Sequence, residues 1–420
     1  MEFREYVAQK LEEGEAELVG DPVGCPDIPS RVAAAEALRN RALVFRNLPD
    51  KGFTAVGNLY GTSYRLCQAF GARDYAHLFA DLDRAIGSPR EIRRAPWPSS
   101  EYQVLSKPNI EALLPVARYC QGDGTPYITS GIVLARFPGS RRRHVCYMRF
   151  AVLGGNRLLA NPATPRIIET VKQSVGRGEE LDICILIGVP PEISLMACVS
   201  MPGEQDKLEV AQSMSRGELA FSPDELPLPL STEFVLKARI IPEYAPEGPF
   251  GEVGGMYSVK DRNPVCVVDE LWHRSDAVFH SLSAGMAKEH LELVALGPRA
   301  CLERLQRKYP QIIRYDLPAF GGDRLAVLAV RGALDVSALR EQLWDIPIVR
   351  GFVFVNEDLA GNSAAEVLWA ILQRAGNSDH FSFSESRHPL YHTDKFCVDA
   401  TVKDTRAWEH RRIDVYRKDF

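Results

Sequence analysis

The sequence predicts a mixed α/β chain organised in three parts, and three observations lead there. At 420 residues the chain exceeds what one ordinary hydrophobic core serves. From about residue 126 helical patterning gives way to apolar runs of β character. Beyond residue 285 the pattern changes again, to a regular alternation of helix-like and strand-like segments.

Taken in order, residues 1–14 read as a helix with Phe3, Tyr6, Val7 and Leu11 on one face. Strand-like runs at 42–45 and 53–56 follow, then helices near 62–70 and 75–86. The Pro-rich run 94–100 reads as a linker, which closes an amino-terminal α/β domain at 1–104. Apolar runs at 127–137 and 145–153 predict strands, and 167–174 predicts a helix. Strands at 181–189 and 234–241 complete a mainly β domain with helical insertions at 105–285. In 286–420 the expected elements are a strand at 291–296, a helix at 299–308 and strands at 312–317 and 325–330. A helix at 336–344, a strand at 346–355 and a helix at 364–374 follow, predicting a mixed or parallel sheet.

A hydrophobic content of 45% and a charged content of 25% are ordinary for a globular protein. The net charge of −5 gives no basis for binding nucleic acid or an anionic membrane. The one basic cluster, Arg141-Arg142-Arg143-His144, reads either as a hairpin tip or as the edge of a phosphate site. No apolar stretch reaches the roughly 18 residues a membrane span needs. Met1–Tyr6 is charged and helical in pattern, unlike a signal peptide. The nine cysteines are scattered, odd in number and never form a CxxC pair, which suits thiols in a reducing cytoplasm.

The segment Pro246-Glu247-Gly248-Pro249-Phe250-Gly251-Glu252-Val253-Gly254-Gly255 places two carboxylates among turn formers and one aromatic. Two acids five apart on a stiff loop suit acid/base work by members of different pKa. The same segment also reads as a Gly/Pro connector bearing two solvated acids. No Walker loop, no GxGxxG after a strand and no GxSxG elbow occurs. His388 and His392 flank Pro389, which argues against a helical zinc motif.

The chain resembles the UbiD family of decarboxylases that use prenylated FMN. The matching stretches run nearly end to end. They are Phe3-Arg4-Glu5-Tyr6, Asp123-Gly124-Thr125-Pro126-Tyr127-Ile128-Thr129-Ser130, Tyr147-Met148-Arg149 and Glu247–Glu252. Later come Val353-Phe354-Val355-Asn356-Glu357-Asp358, Glu366-Val367-Leu368-Trp369-Ala370 and Val398-Asp399-Ala400-Thr401. The resemblance implies a split β-barrel for the central domain and oligomer contacts in the carboxyl-terminal domain, hence a homodimer or larger assembly. It also implies an Arg–Glu–Glu set, which Arg149, Glu247 and Glu252 supply. Arg149 and Glu247 take the pairing role. Glu252, beside Phe250 and raised in pKa, takes the proton transfer.

The family's cofactor cradle matches Thr129, His144, Cys146, Tyr147, Met148, Arg149, Met201, Pro202 and Lys207, with Lys395 as a phosphate-binding cation. Prenylated FMN would come from a flavin prenyltransferase, and the substrate would be a small α,β-unsaturated or aromatic acid. One departure stands out. The family holds a divalent metal, usually manganese, on an Asn, a His and a Glu, and the matching positions here are His144, Ile167 and Lys207, or, with a gap in the match, Asp206 or Glu209 in place of the last. Isoleucine has no donor atom and an ammonium cannot ligate, so the metal site reads as dismantled. On this reading Lys207, with Arg166 or His144, neutralises the phosphate directly. A UbiD-like scaffold that has lost the cofactor is the alternative function, and an enzyme using unmodified FMN is a third.

Overall fold

The computed structural model describes residues 1–49, 51–137, 142–201, 205–384 and 394–402. Two compact units are present, Met1–Leu296 and Gly297–Phe420. The fold is of the mixed α/β class expected.

The first unit opens with α1 (Phe3–Glu12), β1 (Ala16–Val19), α2 (Ile28–Leu38), β2 (Ala42–Phe45) and β3 (Thr54–Gly57), followed by α3 (Ser63–Ala69) and α4 (Tyr75–Gly87). Helix α1 buries Phe3, Tyr6 and Val7 as expected, but its fourth buried residue is Lys10, not Leu11. Lys10 is tolerated there because its ammonium donates to Glu13 and Gln68 and lies over the ring of Tyr6.

Next come β4 (Tyr102–Ser106), α5 (Ile110–Leu113), β5 (Tyr127–Ile128), β6 (Ile132–Arg136), β7 (Arg143–Tyr147), β8 (Phe150–Gly154) and β9 (Arg157–Ala160). The unit continues with α6 (Pro165–Ser174), β10 (Leu181–Ile187), α7 (Pro191–Cys198), α8 (Lys207–Met214), β11 (Phe234–Gly251), β12 (Tyr257–Arg274) and β13 (Val278–His280). The amino-terminal sheet has the order β1-β2-β3-β13, so its fourth strand comes from far along the chain.

The central sheet has nine strands, in the order β5-β8-β9-β12-β11-β10-β6-β7 with β4 on β12. The two ends of this path are joined by very short links. Residues 148–149 connect β7 to β8, and 129–131 connect β5 to β6. Links that short force the ends of the sheet together, and the Met148 amide donates to the Gly131 carbonyl across the join at 2.9 Å. The sheet therefore turns back on itself, with a seam where pairing is interrupted. The runs 127–137 and 145–153, expected as single strands, each break at this seam.

Only residues 252–255 of the 246–255 segment form a turn. Residues through Gly251 belong to β11, paired with β12, and the ladder slips between Ile240/Tyr244, Ala245/Glu247 and Glu247/Phe250. Pro242, Pro246 and Pro249 fall one in each slip. Proline has no N–H for the ladder, so each forces a bulge where it stands and the strand resumes beyond it. The expected linker 94–100 is likewise held, through the Arg94–Phe221 bridge and the packing of Trp97 on Tyr102 and Trp272.

Helix α9 (Lys288–Lys308) replaces the strand expected at 291–296. Its buried Leu293, Leu296 and Ala300 follow three- and four-residue spacing, and Pro298 is accommodated inside the helix. The second unit contains β14 (Ile312–Asp316), β15 (Leu325–Val330), α10 (Arg340–Trp344), β16 (Gly351–Asn356), α11 (Ala364–Arg374), β17 (Phe381–Phe383) and β18 (Phe396–Ala400). Its sheet is mixed, in the order β14-β15-β16-β18-β17, with β15, β16 and β18 parallel.

Candidate active site

Arg149 lies in the two-residue link between β7 and β8, so the seam itself presents it. Its Nε donates to Glu247 Oε1 at 2.7 Å and its Nη2 to Glu247 Oε2 at 3.2 Å. Its Nη1 donates to Glu252 Oε1 at 2.5 Å. Below the guanidinium lies the ring of Phe250, 4.2 Å from its central carbon and itself packed on Tyr127. The three residues expected to act together are therefore brought together, from positions about a hundred residues apart in sequence.

The two carboxylates sit in different surroundings. Glu247 is inside β11 with a side chain of 0% exposure, and it also accepts from Asn263 Nδ2 at 2.5 Å. Glu252 follows the strand at the start of the hairpin turn, where its amide donates to the Met256 carbonyl at 2.9 Å. Its side chain is 32% exposed, and Ser258 Oγ donates to Oε1 at 2.8 Å.

Burial pushes the Glu252 carboxyl up. The charge and hydrogen bond of Arg149, the Ser258 hydroxyl and the field of His290 outweigh that, and its pKa ends below the ordinary carboxylate range. The upward shift expected from Phe250 is thus absent in this arrangement. Phe250 faces the guanidinium, and Arg149 serves both acids at once. Burial also works against the Arg149 charge, and the two carboxylates more than offset it.

Residues that pattern reading missed complete the cluster. Asn161, with its amide set so that the oxygen faces the guanidinium, lies 2.9 Å from Nη2 and 3.0 Å from Nη1. Ser258 stands opposite Phe250 in the ladder and Asn263 opposite Ala245, so register alone delivers both. Asp123 locks the strand in place. One oxygen accepts from the amides of Tyr119 and Cys120 and the other from the Gly251 amide, all at 2.9 Å. Gly124 lies so close to this strand that a Cβ there would sit 2.6 Å from the Gly248 carbonyl oxygen.

The cradle residues fall into groups. His144 and Cys146 are in β7, and the Lys207 ammonium donates to the Val145 carbonyl between them at 2.8 Å. Tyr147 is also in β7, with its hydroxyl buried near Ser194. Met148 and Thr129 are at the seam, where the Thr129 hydroxyl donates to the Leu282 carbonyl at 2.5 Å. Met201 is buried; Pro202, Arg141, His388 and His392 lie outside the described residues. Lys395 belongs to the second unit, where its ammonium donates to the carbonyls of Trp344 and Ile346.

The expected positions do not fit a divalent metal. Ile167 is 1% exposed and part of the apolar core. Asp206 Oδ1 caps α8 at the Leu208 amide and Oδ2 pairs with Arg143 at 3.0 Å. Among the described residues no three His, Cys, Asp or Glu side chains converge to hold an ion.

Residues 90–287 match the family model for the UbiD 3-octaprenyl-4-hydroxybenzoate carboxy-lyase Rift-related domain. The chain carries a UbiD-family domain. An evolved dimeric form of the UbiD-class enzyme HmfF from Pelotomaculum thermopropionicum, in complex with prFMN, superposes with a TM-score of 0.85. It is 23% identical, over 99% of this chain and 97% of that one. The closed form of Sedimentibacter hydroxybenzoicus vanillic acid decarboxylase gives 0.81 at 21% identity, over 99% and 95%. The apo 3,4-dihydroxybenzoic acid decarboxylase of Enterobacter cloacae gives 0.82 at 18%, over 100% and 97%. These likenesses show that the UbiD fold extends well beyond the matched domain. Arg149, Glu247 and Glu252 all lie inside that domain. No helix among the described residues is long and apolar enough to cross a membrane.

Proposed function

We propose that the protein is a UbiD-type decarboxylase of a small α,β-unsaturated or aromatic acid, working with prenylated FMN in the central domain. The observation that carries this reading is one guanidinium shared by a sealed carboxylate and a half-open one. Glu247, wholly buried and held by two donors, fixes the orientation of Arg149. Glu252 occupies Nη1, which is where a substrate carboxylate would dock.

A substrate carboxylate and the Glu252 carboxylate are the same chemical group competing for the same donor. When substrate takes Nη1, Glu252 loses the charge that holds its pKa down and keeps the burial that pushes it up. It then takes a proton at Oε, and its partial exposure gives that proton a route from solvent. Bound prenylated FMN supplies the electron sink for breaking the carbon–carbon bond. Glu252 delivers its proton to the carbon that carbon dioxide leaves, and the carboxylate reprotonates from water. The net reaction consumes the substrate carboxylate and one proton and releases carbon dioxide and the protonated product. Arg149 orients the departing group throughout.

The chain's partners on this reading are a flavin prenyltransferase, as cofactor supplier, and other copies of itself, in a reducing cytoplasm. The test is Glu252→Gln, expressed together with a flavin prenyltransferase. Turnover across a panel of unsaturated and aromatic acids should fall at least about a hundredfold while flavin content, read by absorbance and cofactor mass, is retained. Unchanged turnover would remove Glu252 from the mechanism. A wild-type protein that takes up no flavin under those conditions would favour the scaffold alternative.

A further inference from the structure

Two helices of the first unit carry a cation in their first turn; α6 has no acid there, while α8 has Asp206 at its cap and Glu209 in the same turn. Arg166 is in the first turn of α6 and Lys207 is the first residue of α8. A helix amino terminus carries a partial positive charge and amides without intrahelical partners, so a basic residue there is unfavourable on its own. In α6 the Thr164 side chain makes no capping bond, and Pro165 begins the helix.

Both cations act on the same place. Lys207, Arg166 and Arg142 all press on His144, which burial and those three charges keep neutral. The Thr170 hydroxyl donates to the Arg166 carbonyl at 3.0 Å, so it accepts from His144 Nε2 at 2.7 Å. His144 therefore carries its proton on Nε2 and adds no charge of its own. Burial opposes the Lys207 charge, and repulsion from Arg166 adds to it. Among the described residues the Lys207 ammonium bonds only the Val145 carbonyl, and the Arg166 guanidinium has no side-chain hydrogen bond or ion pair. The nearest acid in sequence, Asp206, is committed to Arg143 and to the helix cap.

Two cations at neighbouring helix starts, neither bonded to a carboxylate among the described residues, favour an anion there. We propose that Lys207 and Arg166, with the open first-turn amides of α6, bind the phosphate monoester of the flavin directly, without a divalent metal. The inference rests on the flavin reading above and specifies how this chain holds the cofactor. Ile167 fits the same account. With no ion to ligate, its position packs into the core.

The test uses the full chain and follows quenching of flavin fluorescence. FMN and riboflavin, which lacks the phosphate, are titrated in EDTA and again with manganese. FMN should bind equally well, within about twofold, in both buffers, and riboflavin at least about tenfold more weakly. Lys207→Met should weaken FMN by about tenfold to a hundredfold and leave riboflavin unchanged, with Lys207→Arg recovering most of the loss. Retained riboflavin binding and an unchanged melting temperature separate this from misfolding.

Manganese tightening FMN tenfold or more would overturn the proposal while leaving the flavin reading intact. Equal losses for both flavins in Lys207→Met, beside an unchanged melting temperature, would do the same. Binding of neither flavin in either buffer would overturn the flavin reading itself, and this proposal with it.

Discussion

Replacing Arg149 by methionine tests how the site is built, because it removes the cation and keeps most of the apolar volume. Glu247 now accepts from Arg149 Nε at 2.7 Å, Arg149 Nη2 at 3.2 Å and Asn263 Nδ2 at 2.5 Å, with a side chain of 0% exposure. The substitution leaves one donor on a buried carboxylate. Stranding one member of a buried ion pair costs about 3–5 kcal/mol. That is a large share of the roughly 5–15 kcal/mol by which domains are stable. Adding Glu247→Gln removes the stranded charge, so the double variant should recover about 2–3 kcal/mol, leaving a loss near that of ordinary hydrogen bonds.

The assay is urea unfolding followed by fluorescence, with Trp344, Trp369 and Trp408 changed to phenylalanine. Trp97 and Trp272, in contact with each other, then report on the first unit. A loss under about 1 kcal/mol for Arg149→Met would refute the reasoning. So would a double variant as unstable as the two single losses added together.

Other expectations follow from neighbouring contacts. The Glu252 pKa is depressed in the folded protein, so its ionic contribution is present above the ordinary carboxylate range and disappears as pH falls through the folded-state value. The stability gap between wild type and Glu252→Gln should therefore be widest at about pH 6–8 and shrink as pH falls below the ordinary carboxylate range; a gap that does not change with pH would show that charge is not involved. Gly248 has φ of 109°, and a Cβ there would come within 2.7 Å of the Ser258 carbonyl oxygen. Gly248→Ala should cost at least about 2 kcal/mol, read as a melting temperature lower by about 4 °C or more. Asp123→Asn loses an acceptor on the Gly251 amide or on the Tyr119 and Cys120 amides, and should cost about 1.5–3 kcal/mol and lower kcat by loosening Glu252.

The trio of Arg149, Glu247 and Glu252 could be read from the sequence because its residue types are unusual where they occur: an arginine inside an apolar run and two acids among prolines and glycines. Its surroundings could not. Asn161, Ser258 and Asn263 reach Arg149 and its acids through strand register, and register is decided by which strands pair, which no local pattern records. The breaks at 129–131 and 148–149 escaped for a related reason, since an apolar run looks the same whether its partners continue or stop. In β11 the prolines suggested a loop, whereas the long partner strand β12 absorbs each as a bulge. At 291–296 apolar residues at alternate positions suggested a strand, and packing of Leu293, Leu296 and Ala300 settled a helix. Ile167 and Lys207 needed no fold to be read, because isoleucine and lysine announce their donor chemistry wherever they fall.

The seam between β7 and β8 has a consequence for how the protein fails. A catalytic arginine on a peripheral lid can be lost by local opening while the rest of the fold survives. Arg149 has no such freedom, since its two-residue link joins strands at opposite ends of one sheet. Freeing it means separating those strands. Its neighbour's amide, Met148 N–H to Gly131, should accordingly exchange with solvent only at the rate set by global opening of the first unit. Mild heat or denaturant should leave each molecule either fully competent or unfolded, with no population that is folded yet has lost its arginine.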